Sequence, residues 1–293
     1  MRQHEQNFIS NGLRCDATLY LPDKKRAPPV IIMAHGLGAE RSFGLLPYVK
    51  RFVSEGFAVF VFDYRNFGES EGEPRNLVDP WRHIEDYDAA IARVKKMKVI
   101  DAKNICLWGT SFSGGHVLVA AAKNKNIKAV IAQIPEVDGW ASGMTYGIGY
   151  MIKGICHALA DDILSIFGKG PHYVKIYSGP DEFAVLNKPD STRYAKIIPK
   201  GAKWENSCPA RILLQVPFYR PMTKAHDIAC PVLLVYAEND TLIPPISVER
   251  TAKHLKDCRT FHLPIGHFDV YGGKPFEQII YTEIEFLNEK MNK

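Results

Sequence analysis

The sequence predicts an α/β protein: a mostly parallel central sheet with helices on both faces and a large segment inserted near its middle. Three observations carry that expectation. Short apolar runs such as VIIM at 30–33 and FAVFVF at 57–62 read as strands buried on both faces. Runs with apolar residues at three- and four-residue steps fall between them, as the helices of a parallel sheet must. The alternation breaks off at Pro135 and resumes near Cys230, too far on for a simple connection.

Taken in order, residues 8–21 read as a hairpin, with a short strand, a turn at Asn11-Gly12 and a longer second strand. The run ending at Met33 is a buried strand that gives way to the glycine-punctuated loop HGLG. A helix follows with Tyr48, Val49, Phe52 and Val53 on one face, closed by Gly56, and FAVFVFD is the next buried strand. Asp79 and Pro80 suit the N-cap and first position of a helix that carries Ile84, Tyr87, Ile91 and Val94 and ends near Met97. NICLWG is a strand, the residues after Ser111 a helix, and KAVIAQIP another strand.

From Glu136 to His226 the sequence changes character. A helix-periodic run through Ile148, Ile152, Ile155, Leu159 and Ile163 leads into a stretch rich in proline and tyrosine. The expected organisation is a core made of residues 1–135 and 227–293, with residues 136–226 as a cap inserted into it. The core resumes with the strand CPVLLVYAEND, a helix around residues 247–256, the strand RTFHLP, the loop IGHFDVYGG and a final helix with Phe276, Ile280, Ile284 and Leu287 on its buried face.

Composition narrows the function classes. A net charge of +5 on 293 residues, with KKMK at 95–98 as the nearest thing to a basic cluster, gives no nucleic-acid footprint. The six cysteines form no CxxC pair and no metal-ligand spacing, so reduced thiols and no metal site are expected. Residues 144–167 are the most membrane-like stretch, but Lys153, Asp161 and Asp162 interrupt it, so no stable membrane insertion is expected. The N-terminus has no apolar secretion signal, and the cytoplasm is the expected location.

The chemistry centres on LWGTSFSGG at 107–115. A strand that turns directly into a helix, with serine at the turn and glycine two residues before it, matches a nucleophile elbow. Gly109 leaves room for the turn, Ser111 stands at its tip as nucleophile, and the Phe112 N–H at the helix start faces the position of an oxyanion. The usual pattern is G-x-S-x-G, and here its fifth position is Ser113. A register centred on Ser113 is the alternative, and a turn without chemistry is the plain one.

A serine hydroxyl needs a base, and the base needs an orienting carboxylate. Loops at the carboxyl ends of parallel strands share one edge of a sheet, so distant residues converge there. Asp240 ends one late strand and His267 follows the last, in the order Ser, Asp, His. His267 is the expected base. His35 is expected to shape its loop, with the Leu37 N–H joining that of Phe112 in the oxyanion hole, and the other eight histidines are expected to be structural. Asp138 is the main rival to Asp240, Glu238 and Asp269 also compete, and Asp63 is expected to brace its own loop.

Together HGLG at 35–38, GTSFSGG at 109–115, AEND at 237–240 and GHFD at 266–269 resemble the α/β-hydrolase superfamily over nearly the whole chain. EGEPRNLVDPW, DYDAA, LWGTSFSGG, PHYVKIYSGPDEFAVLNKP, ARILL and YRP resemble more closely a branch of fungal polyketide transferases or thiohydrolases and Xaa-Pro dipeptidyl-peptidase-like hydrolases. That branch also carries serine at the fifth elbow position. The resemblance implies a serine hydrolase acting on a small-molecule ester, thioester or amide. The true dipeptidyl peptidases are longer and carry further domains, so peptidase action is not expected, and serine at the elbow argues against dehalogenase or epoxide-hydrolase chemistry.

The expected activity is cleavage of a carboxylic ester or thioester through an acyl-enzyme on Ser111, with no cofactor required. An acyltransferase or a small peptidase or amidase with the same triad is one alternative, and a non-catalytic binding protein on the same fold is another. Trp140, Tyr146, Tyr150 and Tyr173 are the aromatics expected to line the acyl or alcohol pocket, or else to form the core of the inserted segment.

Overall fold

The computed structural model describes residues 1–23 and 26–291. Near the N-terminus lie the strands β1 (Arg2–Glu5), β2 (Phe8–Ser10), β3 (Leu13–Cys15) and β4 (Ala17–Leu21). The helix-alternating part begins with β5 (Pro29–Ala34), α1 (Leu46–Ser54), β6 (Ala58–Phe62), α2 (Pro80–Val94), β7 (Asp101–Thr110), α3 (Phe112–Lys123) and β8 (Ala129–Gln133). Eight strands form one sheet in the order β1-β4-β6-β5-β7-β8, continued by β11 (Val232–Ala237) and β12 (Cys258–Leu263). Pairing is antiparallel from β1 to β6 and parallel from β6 to β12.

Strand residues alternate between two hydrophobic clusters. Ile31, Met33, Cys106, Trp108, Leu233 and Val235 point to the side covered by α1 and by α8 (Gly273–Met291). Val30, Ile32, Leu107, Val130, Val232 and Leu234 point to the side covered by α2 and α3 and by Val248 of α7 (Pro245–Ala252). Both faces are thus buried, as a parallel sheet requires. The face of α1 that packs inward is Tyr48, Val49, Phe52 and Val53, and Asp79 caps α2 by accepting from the N–H groups of Trp81 and Arg82.

The N-terminal region departs from expectation. The turn Asn11-Gly12 has φ of 46° and 81°, as a type I′ hairpin demands, and it joins β2 to β3. The second strand breaks at Asp16, whose N–H donates to Ser70 Oγ at 2.8 Å, and only its second half, β4, enters the main sheet. β1, whose residues are all exposed, has no apolar alternation and gains its strand form only by pairing with β4. α2 ends at Val94, short of Met97.

Between Gln133 and Val232 the chain leaves the sheet. It forms α4 (Gly139–Met144), α5 (Ile148–Ile166), a two-stranded ribbon of β9 (Tyr173–Val174) with β10 (Cys208–Pro209), a 3-10 turn at Pro189–Ile197, and α6 (Ile212–Gln215). Its buried residues Ile176, Tyr194 and Ile212 join the core on the α2/α3 side of the sheet. On α5 the apolar stripe faces outward: Ile148 is 78% exposed, Ile152 58% and Ile163 53%. The buried positions are Gly154, Ala158 and Asp161. Small residues let α6 approach, and buried Asp161 accepts from Arg211 Nε at 2.7 Å and Nη2 at 2.9 Å. That ion pair sets which side of α5 turns inward.

Candidate active site

The turn between β7 and α3 is held in a sparsely populated conformation. Ser111 has φ 57° and ψ −121°, a region that costs about 1–3 kcal/mol outside glycine. Its N–H donates to Gln133 O at 2.8 Å, and its carbonyl accepts from Gly114 N and Glu136 N at 2.9 Å each. Two close approaches explain the flanking glycines. A Cβ on Gly109 would stand 2.3 Å from Ser113 O, and one on Gly115 would stand 2.1 Å from Glu136 O.

Ser113 is fully buried in α3 and committed to a chain of hydrogen bonds. Tyr64 Oη donates to Ser113 Oγ at 2.9 Å, and Tyr87 Oη donates to the Trp108 carbonyl at 3.0 Å. Ser113 Oγ lies 2.8 Å from Tyr87 Oη, which leaves the serine proton to complete the link. Serine at the fifth elbow position is therefore a fitted residue, satisfied by two buried tyrosines that elbow spacing does not reveal.

Ser111, His267 and Asp240 come together. His267 follows β12 in the 3-10 turn His267–Tyr271, and its Nε2 lies 3.0 Å from Ser111 Oγ. Its Nδ1 lies 2.6 Å from Asp240 Oδ2, and both side chains are almost wholly buried. Because a carboxylate only accepts, Nδ1 carries the proton and Nε2 is left to accept from the serine hydroxyl. The other carboxylate oxygen, Asp240 Oδ1, accepts from the N–H groups of Leu242 at 2.8 Å and Ile243 at 2.9 Å. The carboxylate is thus fixed from both sides.

Asp190 is a member of this cluster that sequence reasoning missed. Its Oδ2 accepts from His267 N at 3.2 Å and Thr241 N at 3.0 Å, so it ties the histidine loop to the loop that carries Asp240. A Cβ on Gly266 would stand 2.5 Å from Asp190 Oδ1. Asp190 comes from the 3-10 turn of the inserted segment, and a lone aspartate after Lys-Pro carries no sequence signal of that role.

The competing residues are engaged elsewhere. Asp138 accepts from Ala141 N at the start of α4 and pairs with Arg220 at 2.8 and 3.0 Å. Glu238 pairs with His262 at 2.6 Å, and Asp269 pairs with Arg193 at 2.6 Å. His35 is buried with Nδ1 3.0 Å from Gly36 O, and burial lowers its pKa to about 4, so it is neutral. Asp63 braces the loop after β5 by accepting from Arg41 N at 2.6 Å. Burial pushes its carboxyl up to about 7, against the pull of the Arg41 charge. His83 and His116 lie in contact at 3.2 Å behind the elbow helix, and burial holds both pKa values well below the ordinary histidine value.

A cavity of about 310 Å³ opens from Ser111 and His267 beneath α4, α5 and α6, and Leu37, Phe112 and Glu136 line it. The loop that carries Leu37 is tied to the inserted segment, since Tyr194 Oη donates to Leu37 O and Trp204 Nε1 donates to Gly38 O at 2.8 Å. Of the four aromatics singled out from sequence, Trp140, Tyr146 and Tyr150 line the cavity. Tyr173 does not: its hydroxyl points to Arg75 O at 3.4 Å on the outer surface. Burial, with the charges of Asp138 and Asp240 adding, pushes the Glu136 carboxyl up to about 7. No helix among the described residues is long and apolar enough to cross a membrane.

Residues 11–165 match the sequence family described as X-Pro dipeptidyl-peptidase (S15 family). The quorum-quenching protein AidA of Acinetobacter baumannii is 40% identical, with 96% of this chain and 92% of that protein covered. A thiohydrolase of Eupenicillium brefeldianum is 25% identical, with 100% and 96% covered. Among solved structures, the α/β hydrolase GrgF of Penicillium sp. sh18 matches with a TM-score of 0.83 at 24% identity over 100% of both chains. At that identity the likeness speaks for the fold, and the fold is that of an α/β hydrolase.

Proposed function

The chain belongs to the X-Pro dipeptidyl-peptidase (S15) family and has a thiohydrolase among its relatives, and from that premise we propose that this enzyme cleaves a carboxylic ester or thioester through an acyl-enzyme on Ser111. The observation that carries the reading is the hydrogen-bonded line from Ser111 Oγ to His267 Nε2 at 3.0 Å and from His267 Nδ1 to Asp240 Oδ2 at 2.6 Å. In the first step the Ser111 proton passes to His267 Nε2 as the serine oxygen bonds the acyl carbon. Asp240 holds the imidazole in the required tautomer and stabilises its positive form. The N–H groups of Leu37 and Phe112 receive the oxyanion, an interaction whose single donors are worth about 100- to 1,000-fold in rate.

Collapse of the tetrahedral intermediate breaks the bond to the leaving oxygen or sulfur, and His267 delivers the proton to that atom. Water then attacks the acyl-enzyme, its proton going to His267, and the acid leaves as Ser111 regains its hydrogen. Residues 136–226 serve as a cap over the core formed by 1–135 and 227–293, and the apolar cavity beneath it takes the acyl or alcohol portion of a small-molecule substrate. One relative is named a thiohydrolase, which supports the thioester arm of the reading. The cytoplasm suits the six free cysteines, which stay reduced there.

A fluorophosphonate probe tests the reading directly. Wild-type protein is expected to carry the adduct at Ser111, and His267→Ala to label at least a hundredfold more slowly. Labelling at another residue, or labelling that His267→Ala leaves unchanged, refutes it. A panel of p-nitrophenyl esters, acyl-CoA thioesters and proline-containing amides, compared by rate per mole of labelled enzyme, sets the leaving group. Faster turnover of the amides would replace the esterase reading with a peptidase one.

A further inference from the structure

Two polar groups in the cavity have no part in the steps above. One is the Glu136 carboxyl. At the end of β8, Ile134 takes a φ of 41°, rare for a β-branched residue, while its N–H donates to Val235 O at 2.6 Å. The turn so made brings the Glu136 N–H back to donate to Ser111 O at 2.9 Å, so this residue is anchored on the nucleophile's own backbone. Its Oε1 accepts from Asp138 N at 3.0 Å, which fixes the carboxyl's direction.

The other group is the Ser142 hydroxyl on α4. It is buried, lines the same cavity, and makes no well-formed hydrogen bond. It lies close enough to the Glu136 carboxyl for a weak hydrogen bond, which favours that group's charged form. The lining around this pair is largely aliphatic and aromatic, from Trp140, Tyr150, Ile155, Leu213 and Phe218. A buried hydroxyl held only by a weak contact carries a cost that a ligand group can relieve. A plain alkyl chain laid against it relieves nothing. A chain with one hydroxyl donates to the carboxyl and accepts from Ser142, which satisfies both.

We propose that Glu136 and Ser142 form a subsite for a hydroxyl carried on an otherwise aliphatic acyl chain, so that hydroxyacyl esters or thioesters, rather than plain fatty acyl ones, are the substrate class. The proposal rests on the ester or thioester hydrolase reading above. It makes Glu136 and Ser142 specificity residues, outside the proton transfers at Ser111. Discrimination of this kind exceeds what an added methylene achieves in an apolar pocket, because the analogue without the hydroxyl leaves buried polar groups unpaired.

The test compares kcat/KM for p-nitrophenyl octanoate with that for its derivatives hydroxylated at the third, sixth or seventh carbon. Wild-type enzyme is expected to prefer at least one hydroxylated isomer by about tenfold or more. In Ser142→Ala, which removes only a weakly held hydroxyl, that ratio is expected to fall at least threefold, and in Glu136→Gln likewise. Fluorophosphonate labelling of each variant checks that the fold is intact. If Ser111 labels and plain octanoate is turned over but no isomer is preferred, the subsite is refuted alone. A preference that Ser142→Ala leaves unchanged refutes it equally. If no ester is turned over and Ser111 does not label, the hydrolase reading falls and the subsite falls with it.

Discussion

Asp190→Ala separates a positioning role from a merely structural one. The carboxylate accepts two backbone N–H bonds, from His267 at 3.2 Å and Thr241 at 3.0 Å, and both lie in buried or half-buried loops. Hydrogen bonds to a charged acceptor are worth about 1.5–3 kcal/mol each, and water entering the space left by the side chain offsets part of that. The expected destabilisation is about 2–4 kcal/mol, which for a chain of this size lowers Tm by roughly 3–7 °C. The catalytic consequence is separate. Freed from Asp190, the His267 loop lets the imidazole drift from Ser111, and a misplacement of about 1 Å costs on the order of a hundredfold.

The assay is steady-state hydrolysis of a short p-nitrophenyl ester together with the rate of fluorophosphonate labelling. In Asp190→Ala kcat and the labelling rate are expected to fall about a hundredfold, with KM within about threefold of wild type. Asp190→Asn keeps an oxygen in the accepting position and is expected to recover most of the lost rate. If Asp190→Ala melts earlier yet keeps the wild-type kcat at a temperature where it is folded, the residue holds the fold and does not position the histidine.

Two further outcomes follow from buried groups. Ser113→Ala leaves the fully buried Tyr64 hydroxyl without its acceptor while Tyr87 keeps its bond to Trp108 O, so a loss of about 1–3 kcal/mol in urea unfolding is expected. The variant should still label fully at Ser111, and loss of labelling in folded protein would contradict the assignment of the nucleophile. Glu283 is buried beneath the sheet, where Trp108 Nε1 donates to it at 3.2 Å, and burial pushes its carboxyl from 4.5 up to about 8. Between those values the folded chain keeps a proton that the unfolded chain has lost. Its contribution is therefore present below about pH 4.5 and is lost as the pH rises through 8, with a slope approaching about 1.4 kcal/mol per pH unit. Denaturant titrations from pH 5 to 8 should show Glu283→Gln removing that slope, and an unchanged slope would place the carboxyl's titration elsewhere.

Much of the sheet was legible because a parallel strand buried on both faces leaves an unbroken apolar run. Val30–Met33, Phe57–Phe62 and Val232–Val235 could not have been mistaken for loops. β1 was illegible for the opposite reason: RQHE carries no apolar pattern and becomes a strand only through its pairing with β4. In the candidate site, Ser111, Asp240 and His267 were legible because each ends or follows a strand on the same edge. Asp190 and Ser142 were not, since their places depend on how the inserted segment lies against that edge, and Glu136 was not, since its place is set by the left-handed turn at Ile134 and its bond to Ser111 O.

Taken alone, the sequence determined the alternation of strands and helices, the elbow at Ser111 and the order of the residues that follow it. These depend on local periodicity and steric demand, which a few neighbouring residues express. Only the tertiary structure decided that the apolar stripe of α5 faces outward while Gly154, Ala158 and Asp161 pack inward. The same holds for Asp190 bridging two loops and for a carboxyl and a weakly held hydroxyl meeting in an apolar cavity. Those outcomes turn on contacts between residues far apart along the chain, such as Asp161 with Arg211, and no local pattern encodes the distance that such contacts close.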